Sequence, residues 1–312
     1  MIFLLINNYE SLLIMSKIRY FLFYIIILFV LGFEASFSQT SGPKTVLWEI
    51  SGTGLEQPSY LFGTIHIMPK SQFTAYEIAD KKLMTSEQLV LEMKMNVPLK
   101  TQMEWAKKMM LPEGKTIPDF MDEENYARIE SYALDSLEIK KFLFNTYIKM
   151  KPFAFYSALI PHVIGKKIEG YDLYFSDLAQ KEDIPVIGLE SFEFQLAIFD
   201  SIPFEKQLEM FFPEEEFDLK NEMQELIDMY VSHDIYTMAE AFSEEEAYGY
   251  EKLESELLIK RNRDWVRKIS ELITEKPSFI AVGAGHLAGK HGLIKQLRQT
   301  GFTLKPIMLT EN

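Results

Sequence analysis

Short apolar runs alternate with stretches of helical periodicity along most of this chain, and that alternation limits the fold to an α/β sheet. Six runs have the length and the flanking turn residues of strands, at 45–50, 59–65, 89–93, 184–189, 278–284 and 302–309. Helical periodicity covers 73–86, 173–180 and 287–300, and Gly301 ends the last of these. Turn residues separate the first two strands, which indicates a hairpin. The sequence therefore predicts a central mixed sheet with helices on both faces.

Two long segments interrupt this alternation. Residues 98–165 and 203–272 show helical periodicity with few strand signals, which predicts helical insertions. The first insertion is rich in aromatic residues, among them Phe142, Phe144, Tyr147, Phe153, Phe155 and Tyr156. Such a stripe is typical of core packing, and the alternative is a groove for an apolar or peptide ligand.

The N-terminal segment has the pattern of a signal peptide. Lys17 and Arg19 precede the uncharged, mostly apolar stretch 20–33, which is short for a membrane-spanning helix. Small residues follow, and we predict cleavage near Ser38, with an uncleaved membrane anchor as the alternative. Residues 1–38 are then a targeting signal and not part of the fold, and residues 39–312 are one α/β domain that contains both insertions.

Charge and cysteine content exclude several classes of function. Lys and Arg number 32 against 46 Asp and Glu, a formal net charge of −14 that repels nucleic acid and anionic lipid. We therefore expect no nucleic-acid partner, and membrane contact only through the N-terminal signal or anchor. The chain has no cysteine, so any metal must be held by His, Asp or Glu. Export of such a protein suits a periplasm or a cell surface.

A strand ending in Gly-x-x-His occurs twice. The first copy places His66 after Gly63, and the second places His286 after Gly283. At the carboxyl ends of strands in an open α/β sheet, side chains face the crevice where ligands bind. A single histidine at a strand end is usually a hydrogen-bonded structural residue, but two in the same setting favour a shared site.

Two carboxylates lie at the ends of other predicted strands, Glu92 and Glu190. A buried carboxylate must be paired or coordinated, because an isolated buried charge is costly. Ion pairing with Arg261 or Arg263 would satisfy this need, as would a helix N-terminus for Glu190. A cation shared with the two histidines is the other possibility.

Several blocks, taken in order, resemble the TraB/PrgY/GumN family, which includes the TIKI-type metalloproteases. The resemblance extends over most of the chain after residue 38 and rests on Ser59–Pro69, Leu89–Glu92, Gly170–Asp172, Gly188–Glu190 with Gln195, Arg261–Asn262 and Gly283–His286. It implies a TIKI/TraB-like fold and a metal-dependent hydrolase that cuts peptide bonds. It does not fix the substrate, because one fold supports several functions.

The implied site uses His66, Glu92 and His286 as ligands of a divalent cation, with a position left for water. Mn, Co, Zn and Fe are all compatible with nitrogen and oxygen donors. Glu190 would be a fourth ligand or the general base, and Arg261 would stabilise a developing oxyanion.

Four more residues support the implied site. Asp172 either orients an imidazole or caps the helix that follows it. Asn262 belongs to the same block as the arginine, and Gly63 and Gly283 remove side chains beside the histidines. We expect His162 and His233 to be structural and His291 to be exposed.

Two other functions use the same fold. The first is a non-catalytic binding protein for haem or a metal, with His66 as an axial ligand. The second is a cell-surface module that acts through the aromatic insertion. A peptide or protein substrate remains the favoured partner.

Overall fold

The computed structural model describes residues 42–52, 54–213, 217–243 and 258–309, so the predicted signal peptide lies outside the described residues. The strands in these ranges are β1 Leu47–Ser51, β2 Ser59–Thr64, β3 Met68–Pro69, β4 Gln88–Met93, β5 Ile168–Glu169, β6 Val186–Glu190, β7 Ser278–Gly283 and β8 Thr303–Ile307. The α-helices are α1 Glu77–Met84, α2 Leu99–Lys108, α3 Glu123–Ser131, α4 Lys141–Tyr147, α5 Pro152–Ile164, α6 Tyr171–Lys181, α7 Phe192–Asp200, α8 Phe204–Phe211, α9 Leu219–Val231, α10 Ile235–Ser243, α11 Lys260–Glu275 and α12 Leu293–Gln299. Across these ranges, no helix is both long and apolar enough to span a bilayer.

Six strands form one mixed sheet in the order β6-β4-β7-β2-β1-β8. The pairs β6/β4, β4/β7 and β7/β2 are parallel. The pairs β2/β1 and β1/β8 are antiparallel. The predicted hairpin is confirmed, and so is the α/β class.

The chain divides into two compact units. Among the described residues, the sheet unit comprises 42–52, 54–95, 167–198, 220–243 and 258–309. The helical unit includes Asn96–Lys166 and Phe199–Leu219. The predicted insertion 98–165 therefore lies entirely in the helical unit, whereas the predicted insertion 203–272 is divided between the two units.

Aromatic side chains form the core of the helical unit. Phe144, Phe153 and Phe155 are fully buried. The ring of Phe153 stacks on Phe199 with 4.7 Å between centroids. Phe142 is the exception, with 69% of its surface exposed. Most of the aromatic stripe thus packs inside the unit, as the core interpretation predicts.

The sheet of the sheet unit is covered on both faces. Phe62 of β2 contacts Phe175 of α6 on one face, at 4.9 Å between ring centroids. On the opposite face, Trp48 of β1 lies under Arg298 of α12, 5.5 Å from its guanidinium carbon. Helices α1 and α6 pack on the first face, and α11 and α12 pack on the second.

The helix predicted over 287–300 is too long. It begins only at Leu293, because Gly289 has a φ of +82° that no right-handed helix accommodates. The segment before it contains the turn from Gly289 to Gly292. His291 is half-buried there, so the prediction that it is exposed is wrong. The helix predicted over 73–86 is also shorter, since it begins at Glu77.

Gly63 allows the two Gly-x-x-His blocks to approach each other. Strands β2 and β7 are parallel neighbours, and Thr64 pairs with Gly283. A β-carbon added at Gly63 would lie 3.1 Å from Cα of Ala284 and 2.9 Å from a methyl group of Leu287. Backbone contact at this distance leaves no space for a side chain.

We expect Gly63→Ala to lower the free energy of unfolding by about 1–3 kcal/mol, the usual cost of overpacking a core. Urea unfolding followed by circular dichroism measures it. Lys305→Ala on the exposed face of β8 is the control and should change stability little. A Gly63→Ala protein with the wild-type urea midpoint would contradict the close approach.

Candidate functional site

The carboxyl edge of the parallel strands brings together the residues that the sequence singles out. His66 follows β2, Glu92 lies near the end of β4, Glu190 ends β6, and His286 follows β7. All belong to the sheet unit. His66, Glu92 and His286 are 6%, 1% and 4% exposed, so their charges and hydrogen bonds act in a largely dry environment.

The carboxylate of Glu92 lies at the centre of this cluster. Its Oε1 is 4.0 Å from Nε2 of His66 and 3.8 Å from Nε2 of His286. The same oxygen accepts a hydrogen bond from the backbone N–H of Gly283 at 2.8 Å. Its Oε2 accepts one from Nη2 of Arg261 at 2.6 Å. Burial raises the pKa of Glu92, but Arg261 and the two imidazoles oppose this and bring it down to about 2. The carboxylate is therefore ionised.

Each imidazole is fixed through its Nδ1 atom. In His66, Nδ1 is 2.6 Å from Oδ2 of Asp172, and in His286 it is 2.6 Å from Oδ1 of Asn262. The amide of Asn262 is itself oriented, because its Nδ2 donates to the backbone carbonyls of His286 and His291. An acceptor at Nδ1 places a proton there, so in the neutral form of each ring Nε2 carries the lone pair. Nε2 of His286 also lies 3.3 Å from Nη1 of Arg261, which can only donate.

Asp172 reaches His66 because α6 begins close to the end of β2. The backbone N–H of Tyr171 donates to the carbonyl of Ile65 at 3.1 Å. Asp172 is the second residue of α6, and the helix begins after Gly170 without a side-chain cap. Of the two sequence interpretations of Asp172, its contacts favour the one in which it orients an imidazole.

Arg261 bridges the two strand-end carboxylates. Its Nε lies 3.1 Å and 3.0 Å from the two oxygens of Glu190, and its Nη2 lies 2.9 Å from Oε2 of Glu190. Burial lowers the pKa of Arg261, but Glu92 and Glu190 outweigh it and raise the pKa above its usual value. The ion pair expected for these carboxylates is present with Arg261, whereas Arg263 is exposed. Arg261 therefore compensates the buried charges of Glu92 and Glu190 without a cation.

Trp265 is a site residue that the sequence interpretation missed. Its Nε1 donates to Oε1 of Glu190 at 2.7 Å, and its ring lies 4.4 Å from that of His286. Lys268, one turn further along, donates to the carbonyl of Leu189 at 2.5 Å. Positions 261, 265 and 268 lie on one face of a helix. The spacing after Arg261 could therefore have indicated that Trp265 lies near the site.

The cluster has more negative than positive charge. Glu92, Glu190 and Asp172 contribute carboxylates, and Arg261 contributes the guanidinium that pairs with two of them. Burial lowers the pKa of His286 to about 3, which keeps that imidazole neutral. The pKa of His66 is raised, since Asp172 outweighs the effect of burial. Bound cations suit a buried site of this balance.

The donors at the centre of the cluster are of types that bind divalent cations, imidazole nitrogen and carboxylate oxygen. Both Nε2 atoms lie within 4.0 Å of one carboxylate oxygen, and tetrahedral zinc sites place neighbouring donors roughly 3.4 Å apart. The distances of 3.8 Å and 4.0 Å exceed that by about 0.5 Å. Within the described ranges, no group of three or more His, Cys, Asp or Glu side chains is arranged to hold a metal ion as it stands. Binding would require a small contraction of the cluster.

Comparison with known proteins identifies the family of this chain. Residues 46–306 match the TraB/PrgY/gumN family. The chain belongs to that family. A curated relative, Metalloprotease TIKI2 of Danio rerio, is 22% identical over 84% of this chain and 61% of its own length. The chain thus spans about three fifths of that relative. No solved structure gave a significant match. Both Gly-x-x-His blocks lie inside the TraB/PrgY/gumN match.

The pKa of Glu92 predicts how its contribution to stability depends on pH. Its folded-state pKa of about 2 is below the usual glutamate value of 4.5, so its ionised form stabilises the fold above pH 4.5. This contribution is lost as the pH falls from about 4.5 to about 2. We expect the stability difference between wild type and Glu92→Gln to narrow over this interval, as measured by urea unfolding at several pH values.

Glu56→Gln, at an exposed position, is the control and should show no comparable narrowing. A difference between wild type and Glu92→Gln that stays constant from pH 6 to pH 2.5 would show that Glu92 titrates alike in the folded and unfolded states.

Proposed function

We propose that the protein is an exported metal-dependent hydrolase whose first substrate class is peptides. The observation that carries this is the convergence of two imidazole Nε2 atoms on one oxygen of an ionised carboxylate, at the sheet edge where α/β proteins bind ligands. Membership of the TraB/PrgY/gumN family and the relative named a metalloprotease support it.

His66, His286 and Glu92 would hold the cation, for which Mn, Co, Zn and Fe are the candidates. A bound divalent cation supplies Lewis acidity, which polarises a scissile carbonyl and lowers the pKa of water. Asp172 and Asn262 bind each ring at Nδ1 and so leave each Nε2 as the atom that would contact the cation.

Arg261 would stabilise negative charge that develops on a carbonyl oxygen. Its Nη1 lies 3.3 Å from Nε2 of His286, next to the proposed ligands. Glu190 receives hydrogen bonds from Arg261 and Trp265, so most of its acceptor capacity is used. This geometry favours Glu190 as the anchor of Arg261 over the fourth ligand or the general base.

The haem-binding alternative has less support. Nε2 of His66 faces the carboxylate of Glu92, and a β-carbon at Gly283 would lie only 3.6 Å from it. An axial ligand needs an open side above Nε2 for the porphyrin plane. The proposal of export rests on the sequence of residues 1–38, and the net charge of −14 disfavours nucleic acid as a substrate.

The function is tested by assaying the purified protein against a peptide library with and without added Mn or Co. Turnover should require the metal. His66→Ala and His286→Ala should each lower it by more than about 100-fold, because each removes a proposed ligand. His162→Ala, which loses a contact with the hydroxyl of Tyr147, is the control and should keep turnover. Full turnover in either of the first two variants would rule out the ligand set.

Metal binding itself should be visible in tryptophan fluorescence. The chain has 3 tryptophans, and the ring of Trp265 lies 4.4 Å from that of His286. Titration with Co²⁺ should quench part of the emission, and Trp265→Phe should remove that part. Quenching that is the same in Trp265→Phe and in wild type would place the bound Co²⁺ elsewhere.

A further inference from the structure

Gln195 lies in the site without an assigned role. It belongs to the first turns of α7, five residues after Glu190, and is 3% exposed. Its Nε2 donates to Oε2 of Glu190 at 3.3 Å. Because a carboxylate only accepts, this contact orients the side-chain amide and turns its oxygen away from Glu190.

The oxygen of this amide is a buried acceptor. Oε1 of Gln195 is inaccessible to solvent and has no hydrogen-bond partner within the part of the chain that the structure describes. An unpaired buried acceptor costs free energy, and native proteins retain few of them. At the edge of a site, such a group is suited to bind a donor from a ligand.

The hydrogen bond that Gln195 donates to Glu190 is not needed to satisfy that carboxylate. Glu190 already accepts from Nη2 of Arg261 at 2.9 Å and from Nε1 of Trp265 at 2.7 Å, both shorter than its contact with Gln195. A carboxylate with those partners is satisfied without a third, longer contact.

Gln207 of the helical unit provides the contrast. It is fully buried, and its Oε1 also has no partner among the described residues. Its Nε2, however, donates to the backbone carbonyls of Phe199 at 2.8 Å and Ile202 at 2.9 Å. Those two bonds satisfy backbone carbonyls at the turn between α7 and α8. Gln207 therefore has a structural role, whereas Gln195 donates to no backbone carbonyl of the described ranges that would give it one.

We infer that Oε1 of Gln195 accepts a hydrogen bond from a backbone N–H of the bound peptide, close to the bond that is cut. The inference rests on the proposed function, and it makes Gln195 a substrate-binding residue. A peptide offers secondary amide donors at regular spacing. Glu92 and Glu190, the neighbouring carboxylates, are already engaged by Arg261.

Thermal unfolding of the ligand-free protein is the first test. Gln195→Met keeps the length of the side chain and removes both polar atoms, so the melting temperature should stay within about 2 °C of wild type. Gln207→Met, the matched control, should lower it by about 2–4 °C because two backbone carbonyls lose their donor. An equal loss in Gln195→Met would show that Gln195 is structural and would overturn the inference.

Substrate analogues are the second test. Peptides that the library assay shows to be cleaved are methylated at one backbone nitrogen at a time around the cleaved bond. In wild type, one methylation should lower kcat/KM by about tenfold more than in Gln195→Met, which no longer has an acceptor for that N–H. A residue that only positions Glu190 would lower kcat/KM for all the peptides alike. Methylation penalties that are identical in both proteins would therefore overturn the inference.

The two tests separate this inference from the function on which it rests. If no peptide is cleaved with any metal, the proposed function fails and the inference fails with it, and the melting temperatures still show whether the Gln195 side chain as a whole is structural. If peptides are cleaved and methylation penalties do not depend on Gln195, the function stands and the inference fails.

Discussion

The ionised carboxylate of Glu92 is the interaction on which this site depends. It lies on β4 and binds the backbone N–H of Gly283 at the end of β7, and it pairs with Arg261 of α11. One charge therefore connects β4 to α11 and β7, two consecutive elements that lie far from β4 in the sequence. Because the charge is buried, loss of any partner would leave it uncompensated, and a lone buried charge costs more than the partner contributes. The same group that stabilises the edge of the sheet thus lies between the two imidazoles, whose positions Asp172 and Asn262 fix.

Much of this arrangement could be predicted from the sequence because it follows from strand ends. A parallel sheet brings the carboxyl ends of its strands to one edge, so His66, Glu92, Glu190 and His286 had to lie there once their strands were recognised. The strand order could not be predicted. Local patterns mark strands but do not say that β7 lies between β2 and β4, since that pairing depends on contacts between distant segments.

Features set by tertiary contact were also beyond the sequence. The onset of α12 at Leu293 depends on the backbone of Gly289, whose conformation is not visible in helical periodicity. Helical spacing places Trp265 on the same face as Arg261, but its hydrogen bond to Glu190 depends on the packing of α11 on the sheet. For Glu92 and Glu190, an ion pair and a cation were alternatives in the sequence. The structure shows that one arginine serves both carboxylates.

Ion pair and proposed cation are compatible because they use different oxygens of Glu92. Oε2 binds Arg261, and Oε1 faces the imidazoles while it accepts from Gly283. A cation held at Oε1 would therefore leave the pair between Oε2 and Arg261 in place. The guanidinium near His286 opposes a bound cation by repulsion, but Glu190 balances its charge. A fixed positive charge beside the proposed metal gains most when a reacting carbonyl becomes negative, which is the situation that hydrolysis of an amide creates.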